Sequence, residues 1–234
     1  MKLLRWCRDR LFTGLARRSD LDILYDLIQG VIQIQNAMQG RPVLSPLRDW
    51  AISPDAMNWI LLDLQEREKP TVIEFGSGQS TVILAAALKH RGGQLITVEH
   101  DFEYMENIRS QISACGLVQQ VEFVHAPLID LGMVPACQSY DLSKLPEIGV
   151  DAALVDGPPL ANGMLTRLAP LRWAVAHLGA TGVVFLDDSK REAEQKCIAK
   201  LLSEYPDLCP ITRRAEKGLA ELRRSKVSPA AVID

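Results

Sequence analysis

Thr71-Val72-Ile73-Glu74-Phe75-Gly76-Ser77-Gly78-Gln79-Ser80-Thr81 is a β-branched, apolar run that ends in an acid and a glycine-rich turn. Residues 72–75 read as a buried parallel strand, Gly76 and Gly78 as a tight turn, and residues 80–89 as a helix whose free N–H groups face that turn. Such a unit cradles a small ligand. A second apolar strand, 94–99, follows the Gly92-Gly93 turn and also ends in an acid, Glu99, with His100 and Asp101 after it. That acid falls roughly 20 residues beyond the glycines, where open parallel sheets hold ribose hydroxyls.

The pattern repeats downstream. Helix 102–115 ends at Gly116, and 121–125 is a short third strand closed by His125. Residues 126–149 contain Pro127, Pro135 and Pro146 and are expected to be a long loop with one helical turn, either closing over a substrate with Tyr140 or lying passively on the surface. Strand 150–156 ends in Asp156 before Gly157-Pro158-Pro159, helix 164–178 follows, and strand 182–188 ends in Asp187 and Asp188. Ser189, or one of the two aspartates, is placed to cap a helix reaching about Tyr205. Residues 211–215 and 219–223 then form a terminal hairpin around Glu216-Lys217-Gly218.

Upstream, Ser53-Pro54-Asp55 is a helix start, with serine as cap, proline in the first turn and an acid behind it. The helix is expected to reach about Glu68. Residues 21–38 carry Leu24, Leu27, Val31, Ile34 and Met38 at heptad spacing, which suits either a self-associating helix pair or a helix covering the sheet. Residues 1–18 are basic and amphipathic, with Lys2, Arg5, Arg8, Arg10, Arg17 and Arg18 against the acid Asp9. They suit an anionic membrane surface, an acidic partner, or packing on the domain.

Composition narrows the class. The 234 residues, 47% hydrophobic, suffice for one good core. A net charge of −3 gives no basic field for nucleic acid. The five cysteines are odd in number and form no Cys-x-x-Cys pair, which suits a reduced cytoplasm. No apolar run approaches the roughly 18 residues of a membrane span. The expected location is therefore cytoplasmic, with peripheral contact at the inner face of a membrane as the option left by residues 1–18. The expected architecture is α/β: a doubly wound, mostly parallel seven-stranded sheet of Rossmann-like type, a C-terminal antiparallel hairpin and an N-terminal helical extension. The extension spans 1–52 and the ligand-binding domain 53–234.

On the Glu74-to-Thr81 turn, the acid Glu99, and the acids at strand ends 156 and 187–188, the chain resembles class I S-adenosylmethionine-dependent methyltransferases over residues from about 53 to 224. In appearance it is closest to metal-assisted sugar and catechol-type O-methyltransferases. The resemblance implies cofactor contacts from Glu74, Gly76, Ser77, Gly78, Ser80, Thr81, Glu99, His100, Ala126 and Asp156. It also implies a divalent ion, Mg²⁺ or Mn²⁺, on Asp156, Asp187 and Asp188, and transfer of a methyl group to a hydroxyl of a small molecule or glycan. Asp156 and Asp187 are the catalytic candidates, joined by His125 as a proton acceptor; the other reading of His125 is a histidine satisfied by a backbone carbonyl near the adenine. Arg191 is expected either to orient the acids or to form a surface salt bridge. Two departures stand out. Asp188 replaces the usual asparagine, and no lysine follows Asp156.

Two rivals share the fold. A nicotinamide-dependent oxidoreductase is disfavoured because Thr81 sits at the third glycine position and Glu74 precedes the turn. A non-catalytic S-adenosylmethionine-binding scaffold would be expected to have lost its strand-end acids, and both ends keep theirs.

Overall fold

The computed structural model describes residues 20–43, 47, 50–132 and 136–225. The basic segment 1–18 lies outside the described residues. Two helices come first, α1 (Asp20–Met38) and α2 (Pro54–Gln65), followed by β1 (Thr71–Phe75), α3 (Gln79–Arg91), β2 (Gln94–Glu99), α4 (Phe102–Ala114) and β3 (Val121–His125). The second half contains β4 (Leu128–Asp130), β5 (Gln138–Tyr140), β6 (Val150–Val155), α5 (Leu168–His177), β7 (Leu178–Asp187), α6 (Glu192–Glu204), β8 (Leu208–Arg213) and β9 (Leu219–Arg224).

Seven strands form one sheet in the order β3-β2-β1-β6-β7-β9-β8. The first five run parallel, and β9 is antiparallel to both β7 and β8. Strand order reverses between β1 and β6. That is the switch point beyond whose carboxyl ends an open sheet binds its ligand. The strands read as continuous apolar runs because helices cover both faces. Val72, Leu95, Leu154 and Phe185 pack toward α1–α4, while their neighbours Ile73, Ile96, Val155 and Leu186 pack toward α5 and α6.

Helix α1 joins this core through Ile34 and Met38, and leaves Leu21, Leu24, Tyr25, Ile28, Val31 and Ile32 exposed. The heptad stripe is thus divided between the core and the outer surface. No helix among the described residues is long and apolar enough to cross a membrane.

Several local expectations need correction. The described residues of 126–149 are more ordered than a loop: β4 and β5 pair antiparallel, and Leu142–Lys144 forms one 3₁₀ turn. Three-residue strands are too short to show a period. Helix α5 starts at Leu168 rather than Met164, because an earlier start would move Pro170 out of the first turn, where its missing N–H is harmless. Strand β7 starts at Leu178, with a register break against β6 between Val150 and Ala152 that accommodates Gly179 and Gly182. Neither aspartate, nor Ser189, caps α6. Residues 188–191 form a turn closed by Arg191 N–H to Asp188 O at 2.8 Å, and Arg191 is the N-cap residue. Ser53 occupies the cap position of α2, which ends at Gln65, but its hydroxyl donates to Asp55 Oδ1 at 2.6 Å instead of capping.

Candidate functional site

The cradle is built at the end of β1. Gly76 has φ +102°, a backbone conformation that side-chain-bearing residues rarely adopt, and a Cβ there would stand 3.1 Å from Gly157 N. The two glycines bring the first turn and the turn after β6 together. Asp156 N–H donates to Phe75 O at 3.0 Å, which ties the strand ends to each other.

Thr81 explains the missing third glycine. Its hydroxyl donates to Glu74 Oε2 at 2.6 Å and accepts the Gly78 N–H at 2.9 Å, half of a capping box for α3. Thr97 also donates to Glu74 Oε2, at 2.9 Å, and Ser77 Oγ lies 2.9 Å from Thr97 Oγ1. Glu74 is fully buried. Burial pushes its carboxyl up to about 7, against the pull of the Ser80, Thr81 and Thr97 hydroxyls and with Glu99 adding a further push. Glu74 therefore shapes the turn from beneath.

Glu99 closes the cradle from β2. Its Oε2 accepts Ser77 N–H at 3.0 Å, and its Oε1 accepts the N–H groups of His100 at 2.7 Å and Asp101 at 3.0 Å. His100 Nδ1 lies 2.7 Å from the same Oε1, and this contact raises the imidazole above its ordinary value. Ala126 is buried directly after β3, its N–H bonded to Glu99 O at 2.8 Å. Tyr104, unremarked in the sequence, brings its phenol to within 3.8 Å of where a Gly78 Cβ would be. Burial raises that phenol, as do the charges of Glu99, Glu74 and Asp156.

The second cluster lies at the ends of β6 and β7. One ligand atom from each of Asp156, Asp187 and Asp188 falls within 4.8 Å of the others. Asp187 is 1% exposed, and neither of its oxygens makes a well-formed hydrogen bond among the described residues; Asp188 Oδ1 is likewise without one. Burial, with the adjacent Asp188 charge, raises the Asp187 carboxyl to about 6. Burial and the Asp187 charge push Asp156 well above the usual carboxylate range, with Arg167 opposing. Asp188 has φ +57°, left-handed backbone that aspartate tolerates better than most residues.

The cluster's buried cation is Arg167, which sequence reasoning missed. From the N-cap of α5 its Nη2 donates to Asp156 O at 2.6 Å and reaches Asp156 Oδ1 at 3.4 Å and Asp188 Oδ2 at 3.2 Å. Nη1 donates to Asp187 O at 3.1 Å and lies 3.5 Å from Oε1 of the buried Glu194 on α6. No motif links Arg167 to the strand ends. Its only trace in the sequence is the lysine absent after Asp156. Arg191, partly exposed, adds a contact to Asp188 Oδ2 at 2.7 Å, so it orients an acid of the cluster.

His125 is not brought to these acids. In the sheet β3 is separated from β6 by β2 and β1, and His125 Nε2 lies 3.0 Å from His100 O. The contact to a backbone carbonyl is the one expected of a histidine satisfied by the main chain. Tyr140 is 1% exposed, with its hydroxyl against Gly157, so it forms part of the floor and neither a lid nor a surface loop.

A family model described as a methyltransferase domain matches residues 73–189, half of the chain, from within β1 to the turn after β7. No curated protein sequence matches. Among solved structures, the fold is similar to an S-adenosylhomocysteine-bound methyltransferase of Podospora anserina at 14% identity, covering 85% of this chain and 88% of that one, with a TM-score of 0.58. It is similar to an O-methyltransferase of Streptomyces achromogenes involved in tomaymycin synthesis, solved with S-adenosylmethionine, at 18% identity over 96% and 99% of the chains, TM-score 0.54. An O-methyltransferase of Bacillus cereus, solved with S-adenosylhomocysteine, is 17% identical over 93% and 97%, TM-score 0.55. With the strand order and the glycine-rich turn after β1, the family match shows that the chain belongs to the methyltransferase-domain family, as a class I S-adenosylmethionine-dependent methyltransferase.

Proposed function

We propose that the protein methylates a hydroxyl oxygen of a small molecule or sugar, assisted by a divalent ion on Asp156, Asp187 and Asp188. The observation behind this reading is the buried Asp187 carboxylate, without a well-formed hydrogen bond among the described residues and converging with two further carboxylates beside the cofactor cradle. An oxygen-only donor set fits Mg²⁺ or Mn²⁺. Two of the similar structures are O-methyltransferases, which agrees with a hydroxyl acceptor.

When bound, the cofactor supplies an electrophilic methyl group, and a divalent ion supplies positive charge that lowers the pKa of a nearby hydroxyl. The chain supplies placement. Glu99 and the Glu74–Thr81 turn orient the cofactor, and the floor of Tyr140 and Phe75 excludes water beneath it. Asp156, the most open of the three acids, meets the acceptor and takes its proton. A sugar hydroxyl and a phenolic hydroxyl are the competing acceptors.

The test is calorimetric titration of S-adenosylmethionine and Mn²⁺ into the protein. An acceptor screen follows, reading release of S-adenosylhomocysteine with and without chelator. Micromolar cofactor binding and chelator-sensitive turnover are expected. Turnover indifferent to chelation would remove the metal from the mechanism, and cofactor binding without turnover on any hydroxyl acceptor would favour the scaffold reading.

A further inference from the structure

We propose that Arg167 is the positioning residue of the acid cluster: its guanidinium engages one oxygen of Asp156 and one of Asp188, and thereby decides which carboxylate oxygens remain for a divalent ion. The inference rests on the metal-assisted reading above and adds to it the residue that sets the ligand geometry.

The contacts divide the oxygens. Nη2 lies 3.4 Å from Asp156 Oδ1 and 3.2 Å from Asp188 Oδ2, an oxygen it shares with Arg191 at 2.7 Å, so at Asp156 it acts alone and at Asp188 with a second arginine. Among the buried carboxylate oxygens of the described residues, both of Asp187 and Oδ1 of Asp188 are left without a well-formed bond, and at Asp156 Arg167 engages Oδ1 and not Oδ2. Arg167 is itself held in one pose. Nε donates to Pro158 O at 3.4 Å, Nη1 to Asp187 O at 3.1 Å and Nη2 to Asp156 O at 2.6 Å, so the ends of β6 and β7 are joined through one planar group. Glu194 adds a charge from α6, 3.5 Å from Nη1.

A purely architectural arginine would need only the three carbonyls. Here the same nitrogen that bonds the Asp156 carbonyl also reaches two carboxylates, the arrangement by which outer-shell donors orient ligands and tune a metal. Lysine cannot reproduce it, because its ammonium is a point charge without a fork. No lysine follows Asp156 in this chain, and the basic group beside it comes from the start of α5.

The experiment compares full-length wild type, Arg167→Lys and Glu194→Gln by Mn²⁺ titration, the electron paramagnetic resonance spectrum of bound Mn²⁺ and thermal melting. Arg167→Lys keeps the charge and removes the fork, so a changed affinity reports geometry. Wild type is expected to bind Mn²⁺, and Arg167→Lys to bind it about tenfold or more weakly with an altered spectrum, the usual scale for losing an outer-shell partner. Glu194→Gln is expected to show a smaller weakening. An unchanged Mn²⁺ affinity and spectrum in Arg167→Lys, with only a lowered melting temperature, would make Arg167 architectural and overturn the proposal while leaving the metal reading standing. No binding by wild type would overturn both. Should Arg167→Lys fail to fold, Glu194→Gln decides: a weakened affinity supports the proposal, and wild-type affinity and spectrum overturn it.

Discussion

Thr81 Oγ1 lies 2.6 Å from Glu74 Oε2 while accepting the Gly78 N–H at 2.9 Å, so one hydroxyl fastens the glycine-rich turn to the buried acid beneath it. Thr81→Val keeps the volume and deletes both bonds. The Glu74 oxygen keeps only Thr97, and the Gly78 N–H loses its acceptor. The expected result is a loss of roughly 1–3 kcal/mol in stability, the range for orphaning buried polar groups. About tenfold weaker cofactor binding is expected alongside, with both properties largely restored in Thr81→Ser. Denaturant midpoints and calorimetry check it; cofactor affinity unchanged in the valine variant would separate the turn from the binding site.

Glu74 gives this protein a pH signature. Its folded carboxyl titrates at about 7 against an ordinary 4.5, so between those values the folded chain keeps a proton that the unfolded chain has released. Stability therefore falls as pH rises through that window and levels off above it. The full shift corresponds to roughly 3 kcal/mol. Glu74→Gln is expected to lessen the decline between pH 5 and pH 8 in urea titrations, leaving the part due to Asp187. A slope as steep as wild type would remove Glu74 as its source.

The fold was legible because its signals are local. β1 and β2 each place a β-branched run, an acid and a turn within a few residues, and strands covered on both faces lose alternation but keep length. The acids of the second cluster were visible as strand ends. What joins them was not, because Arg167 reaches Asp156 and Asp188 only after β6, a turn and β7 are in place. The β4–β5 pair escaped notice for a different reason: its strands are too short to show periodicity, and the prolines around it read as a loop. The two strands that lie between His125 and Asp156 were not legible either, since sequence order gives no lateral distance across a sheet. Thr81 was visible only as a departure from a glycine pattern, and its reason required the position of Glu74.

Glu99 offers a prediction with two readouts. Its carboxylate accepts three main-chain N–H groups of the cradle and lies against His100 Nδ1. Glu99→Gln removes the charge that raises the His100 imidazole, so the His100 titration, followed by NMR, is expected to move down. Glu99→Ala removes the acceptor altogether and is expected to weaken S-adenosylmethionine binding more than tenfold. The order of effect on binding is alanine, then glutamine, then wild type. A His100 titration unmoved in Glu99→Gln would break the assignment of its partner.

Asp187→Asn tests whether the second cluster is strained in the absence of an ion. Asp187 is buried, lacks a well-formed hydrogen bond among the described residues and is raised to about 6 by burial and by Asp188. By the same sign as Glu74, the folded chain is destabilised as pH rises from the ordinary carboxylate value through 6, and the loss is complete above it. Asparagine keeps the shape without the charge. At pH 8, free of divalent ions, the variant is expected to melt above wild type, with the gap closing toward pH 4, and to have lost Mn²⁺ binding and turnover. Saturating Mn²⁺ is expected to raise the melting temperature of wild type alone, because only wild type binds it in the folded state. A gain in stability paired with a loss of function marks a site whose geometry serves the ligand at the expense of the fold. If the variant instead melts below wild type at pH 8, the Asp187 carboxylate is already compensated within the protein, and the strongest reason for placing an ion there disappears.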